Sequence, residues 1–148
     1  VGTPRDPKAT DATSPPVVEV LGMKWLDRET VRAPYMALCL TEADYLKAAR
    51  HCGIKSPNEW LDMNRAKACV HTWESGGKLV CVVCVHPDAA KAHPIEVAAS
   101  LVHEAVHVFQ RLCDSIGEAE PSREFEAYSI ERISECLMRE FVRQTVKG

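Results

Sequence analysis

The stretch "AKACVHTWESGGKLVCVVCVH", residues 66–86, constrains the fold more than any other part of this chain. Two runs rich in β-branched and aromatic residues flank "ESGG", which predicts two strands joined as a hairpin. On the first run Ala68, Val70 and Thr72 share one face and Cys69, His71 and Trp73 the other, and either set could face the core. On the second, the same alternation sends Cys81 and Cys84 to opposite faces. That parity argues against reading "CVVC" as half of a zinc site, which needs four converging ligands, and there is no second close cysteine pair. The seven cysteines, at 39, 52, 69, 81, 84, 113 and 136, are an odd number in a chain of 148 residues that is 46% hydrophobic. Such a chain can build a core without crosslinks, so reduced and largely buried thiols are expected.

Around the hairpin, "APYMALCL" (Ala33–Leu40) reads as a strand. "TEADYLKAARHCG" reads as a helix capped by Thr41 and stopped at Gly53. "SPNEW" begins a turn or a further short helix. "HPDAAKAHP" breaks the strand pattern with two His-Pro dipeptides, and Ile95–Leu112 then reads as a helix. "CDSIGEAEP" connects it to a final helix, about Ser122–Val146. Residues 1–20 hold four of the nine prolines and predict a flexible leader, leaving 21–148 as a single domain. The order of strand, helix, two strands, helix, helix implies an α+β fold. The expected architecture is a small antiparallel or mixed sheet with the helices packed on one face.

The formal charge of -3, from 18 basic and 21 acidic residues, offers no broad basic field, so neither nucleic acid nor a membrane is the expected partner. No apolar run approaches the roughly 20 residues needed to cross a bilayer. The expected location is the cytoplasm, although Val1 as the first residue is compatible with a removed signal peptide.

Within the helix of residues 95–112, "HEAVH" (103–107) matches H-E-x-x-H. Residues four apart stack on one side of a helix, which lets the His103 and His107 imidazoles converge on one ion. Glu104 then sits beside them, where its carboxylate can hold a water. Ala98, Leu101, Val102, Ala105, Phe109 and Leu112 supply an apolar stripe next to the histidines. A hydrolytic zinc commonly takes three protein ligands and leaves one position for water. Cys113 turns away from the histidine stripe, and Asp114 lies too far along the helix. On the final helix, Glu126 is in register with Ile130, Ile133, Leu137 and Phe141, so it is expected at a core-facing position. An unpaired buried acid is costly whereas a metal would supply its partner, which makes Glu126 the expected third ligand. The other reading is a core-edge acid paired with Arg123.

"HEAVH" followed by an acid in "EFEAY" resembles the zincin metallopeptidases, and among them the gluzincin arrangement in which a downstream Glu completes a His-His-Glu site. The resemblance covers mainly residues 95–135. It implies Zn2+ held by His103, His107 and Glu126, Glu104 as general base, and a polypeptide or peptide substrate laid along an edge strand of the sheet. The chain lacks the glycine and third histidine that continue the motif in metzincins. Tyr128 and His93 are the candidate donors to the charge that develops on the substrate oxygen. Glu131 or Asp114 could orient a ligand histidine, and Gln110 lies near the histidine stripe. Two other functions use the same residues: a noncatalytic interaction or assembly module, and a hydrolase of another amide or an ester.

Overall fold

The computed structural model describes residues 34–62 and 67–146, so the expected leader at 1–20 lies outside the described residues. The described elements are β1 (Tyr35–Cys39), α1 (Glu42–His51), β2 (Ala68–Ser75), β3 (Lys78–Val85), α2 (Pro87–Ala90), α3 (Pro94–Ile116) and α4 (Arg123–Thr145). The fold is α+β, built on a three-stranded mixed sheet in the order β1-β3-β2. β2 and β3 form the hairpin, with Ser75 opposite Lys78. Its two-residue turn places Gly76 and Gly77 at φ of 58° and 73°. Positive φ at both central positions is the turn whose twist matches that of the strands, and glycine reaches it without steric cost. β1 lies parallel to β3 on the other side, with Cys39 opposite Cys84.

Local signals account for the helix ends. The Thr41 hydroxyl accepts the Asp44 amide at 3.2 Å and starts α1, and Gly53 follows its end at φ 72°. Ser122 accepts the Phe125 amide at 3.2 Å and starts α4. α3 runs one turn past Leu112 to Gly117, which takes the left-handed conformation that satisfies the last carbonyls. "SPNEW" forms bends and no helix, and α2 is a single turn that the sequence reading missed. His86 and His93 cap α2 and α3 through Nδ1, each followed by a proline in the first turn. Proline there loses nothing, because the first amides of a helix have no intrahelical partner.

The helices do not all lie on one face of the sheet. α3 and α4 cover one side, where Leu38, Cys81, Val83 and Val85 meet Val97, Leu101, Val108, Ile133 and Leu137. α1 and the segment around Leu61 cover the other, where Tyr45 and Leu61 pack on Cys39, Val80, Val82 and Cys84. β3 is central and buried on both faces, as its unbroken apolar run requires. Cys81 and Cys84 do fall on opposite faces, and all seven cysteines are free thiols. β1 and β2 are the two edge strands, and β2 lies beside α3.

Candidate functional site

α3 positions the "HEAVH" residues. Its buried stripe is Val97, Leu101, Ala105, Val108, Phe109, Leu112 and Cys113. Val102, expected on that stripe, is exposed instead, so the helix is rotated toward the side that carries Glu104. His103 and His107 remain exposed while Glu104, between them in sequence, is only 5% exposed.

The two imidazoles approach through Nε2, 3.2 Å apart, with the rings nearly edge to face at 78°. Two nitrogens bound to zinc at 2.0–2.1 Å in a tetrahedral arrangement would stand about 3.3 Å apart, so the pair has the spacing of one edge of that tetrahedron. Two neutral imidazoles share one N–H···N hydrogen bond at the same distance, and a cation would take up the same two lone pairs. Gln110 supplies the outer support. Its Oε1 lies 3.0 Å from His107 Nδ1 and accepts the proton there, which leaves His107 Nε2 as a bare lone pair facing His103. Gln110 is the functional neighbour that periodicity brought closest to view. Asp114 pairs with Arg111 at 3.6 Å, away from both rings.

Glu104 carries one carboxylate oxygen, Oε2, buried without a hydrogen-bond partner among the described residues. Burial pushes its acid strength down, raising the pKa above the ordinary carboxylate value, and the nearby His103 and His107 partly oppose this. A buried acceptor without a donor is costly, and a cation or a bound water beside the histidines would offset that cost. The two histidines and Glu104 therefore fit a metal with an attached water as far as their own chemistry goes.

The remaining candidates are not gathered around this pair. Glu126 lies in the first turn of α4 and is exposed, which corrects its expected burial. The helical period places it in the right direction around the axis, but the stripe is buried only at Ile133 and Leu137, farther along the helix. The Glu126 carboxylate makes its charge felt at the buried Cys113. Among the described residues, no third His, Cys, Asp or Glu joins His103 and His107 in a group that could hold a metal. Tyr128 is exposed on α4, at 67% for the residue. His93 is the cap of α3, and its Nδ1 is already occupied by the Ile95 amide at 3.2 Å. Ten residues along a helix separate it from His103 by about 15 Å, too far to touch the same substrate atom.

No protein-family model, curated protein or solved structure matches the chain.

Proposed function

We propose that the chain is a zinc-dependent hydrolase of peptide bonds, working in the manner of the gluzincins that "HEAVH" and "EFEAY" resemble. The observation that carries this reading is the 3.2 Å approach of the His103 and His107 Nε2 atoms beside the unpartnered Glu104 Oε2. His103 and His107 would hold the metal, with Gln110 fixing the orientation of His107. Glu126 is proposed as the third ligand, reached by a shift of its exposed side chain on the helix next to α3, since no hydrogen bond or ion pair holds its carboxylate among the described residues. Zinc, when bound, supplies a Lewis acid that polarises the substrate carbonyl and acidifies water.

Glu104 is the proton carrier. It accepts a proton from the attacking water and returns it to the leaving amine, and its buried position raises its basicity for the first of these transfers. The edge strand β2 supports an extended peptide as the substrate, since its outer backbone groups are those a further strand would pair with.

The test combines zinc content with turnover of a diverse peptide library. Wild type and Glu104→Gln should carry near-stoichiometric zinc, and Glu104→Gln should lose about 10²–10⁴-fold in rate. His103→Ala and His107→Ala should lose the metal. Zinc retained in full by Glu126→Ala would remove Glu126 from the site. Zinc-loaded wild type that cleaves nothing in the library, but cleaves amide or ester small molecules, would replace the peptidase reading. Zinc-loaded protein inert to both would favour a noncatalytic module.

A further inference from the structure

The face of the sheet covered by α1 carries a second set of reactive groups. Cys39, Cys84 and Cys69 stand side by side across β1, β3 and β2, since Cys84 is the register partner of both others. Cys84 thus stands next to Cys39 on one side and to Cys69 on the other, and these two neighbours together with burial push its thiol pKa up. His71, two residues along β2 from Cys69 and on the same face, brings its Nε2 to 3.4 Å from Cys69 Sγ.

The surroundings of His71 favour a protonated ring. Nε2 lies 2.9 Å from the Trp60 carbonyl, which can only accept, so Nε2 carries a hydrogen. Nδ1 lies 3.5 Å from the Tyr45 hydroxyl, whose own proton is committed to the Asn58 carbonyl at 2.7 Å. Nδ1 therefore faces an oxygen lone pair and is also served best by a hydrogen. The Cys69 thiol donates to the same Trp60 carbonyl at 3.2 Å, and for an imidazolium formed at His71 it is the ionisable partner in reach, 3.4 Å from Nε2. The hydrogen bond from Cys84 and the contact with His71 together hold the Cys69 thiol well below its ordinary pKa, against the effect of burial. His71 is raised by Cys69 and the Trp60 carbonyl, which outweigh burial.

Strand spacing decides what this row can do. β1 and β2 lie on either side of β3, so Cys39 and Cys69 are separated by about 9.5 Å of sheet. That is beyond the roughly 7 Å limit for a disulfide. Cys69 and Cys84, as directly opposed residues of an antiparallel pair, have Cα atoms about 4.5–5.5 Å apart, inside the range a disulfide spans. Cys69 is partly open to solvent, whereas Cys84 and Cys39 are buried.

We propose that Cys69 and Cys84 form a redox-active dithiol, in which Cys69, held against His71, reacts with a peroxide-class oxidant and Cys84 closes the disulfide. The Cys69 thiolate attacks one oxygen of hydrogen peroxide and the O–O bond breaks. The departing hydroxide takes a proton from His71 and leaves as water, and Cys69 becomes a sulfenic acid. Cys84 Sγ then attacks Cys69 Sγ, the S–OH bond breaks, and the hydroxide leaves as water with the Cys84 thiol proton. The two sulfurs lose two electrons in total, and one peroxide is reduced to two waters. This proposal does not rest on the zinc chemistry proposed for α3, and the Cys69 charge is felt at Glu104.

The experiment treats the reduced full chain with equimolar hydrogen peroxide, blocks remaining thiols with N-ethylmaleimide and maps the peptides by mass spectrometry. The expected first product is a Cys69–Cys84 link, with the exposed Cys136 still alkylated. Cys84→Ser should stop the reaction at a Cys69 sulfenic acid that dimedone traps, and His71→Asn should slow wild-type-like oxidation on the order of tenfold. Oxidation of Cys136 while Cys69 remains free, or a Cys39–Cys84 link appearing first, would overturn the proposal. The wild-type map decides the matter even if a variant fails to fold.

Discussion

The two faces of the sheet are built to different rules. Under α3 and α4 the side chains that meet β3 are mostly aliphatic, and the histidines of α3 are carried at its outer surface while Glu104 and Cys113 are buried. Under α1 the layer mixes Tyr45, His71, Trp73 and four thiols with Val80, Val82 and Leu61. A face packed with hydrocarbon stabilises by burial alone. A face packed with polar groups must satisfy each of them, so it is more specific and contributes less net stability.

The largest expected effect tests that contrast directly. Leu101, 1% exposed, is central to the aliphatic face. Leu101→Ala should cost about 3 kcal/mol, the middle of the range for deleting a buried leucine side chain. Chemical denaturation followed by circular dichroism reads this directly. A loss below about 1 kcal/mol would mean that α3 is not the principal source of stability, and the difference between the faces would collapse.

The aliphatic face was largely legible in the sequence and the mixed face was not. Helical period identified Leu101, Ala105, Phe109 and Leu112, and local chemistry identified Thr41, Ser122 and the Gly76-Gly77 turn. These signals act within a few residues of chain. The row Cys39, Cys84, Cys69 depends on the register of β1 against β3, a pairing between segments about 45 residues apart that alternation alone does not specify. Glu126 shows a related limit, because period gives the direction of a side chain around a helix and not how far the core extends along it. His86 and His93 were missed as caps because histidine is outside the usual cap residues, although each His-Pro pair carried the signal of a proline in the first turn.

A smaller effect is expected on the mixed face. The Tyr45 hydroxyl donates to the Asn58 carbonyl at 2.7 Å, tying α1 to the segment that precedes β2. Burial, reinforced by the neighbouring thiols Cys84, Cys69 and Cys39, pushes its pKa up to about 12, so the hydroxyl stays a donor throughout the physiological range. Tyr45→Phe keeps the ring and removes that bond, and should cost about 1–2 kcal/mol by leaving a carbonyl unpaired. Amide exchange should accelerate at residues 54–62 more than in α3. Uniform acceleration across both faces would show that they unfold as one unit, and the distinction drawn between them would then be of composition only.

The smallest effect concerns the joint between α4 and β1. Arg143, hydrogen-bonded to the Glu140 carboxylate at 2.6 and 2.8 Å, together with Gln144 at 2.8 Å, lowers the Glu140 pKa from 4.5 to about 2. Gln144 in turn donates to the Leu38 carbonyl at 2.9 Å, so the charged carboxylate helps hold an amide that clips α4 to β1. Because the folded pKa is depressed, the stabilisation is fully present above the unfolded value near 4.5 and is lost as pH falls toward 2. Arg143 is 72% exposed and Glu140 34%, so solvent screening limits the contribution to about 0.5–1 kcal/mol. Glu140→Gln should therefore be less stable than wild type by that amount at pH 7, and the gap should narrow steadily between pH 4.5 and pH 2 in denaturant titrations. A gap that persists undiminished at pH 2 would assign the effect to side-chain packing at the joint, and the carboxylate charge would have no part in holding β1 to α4.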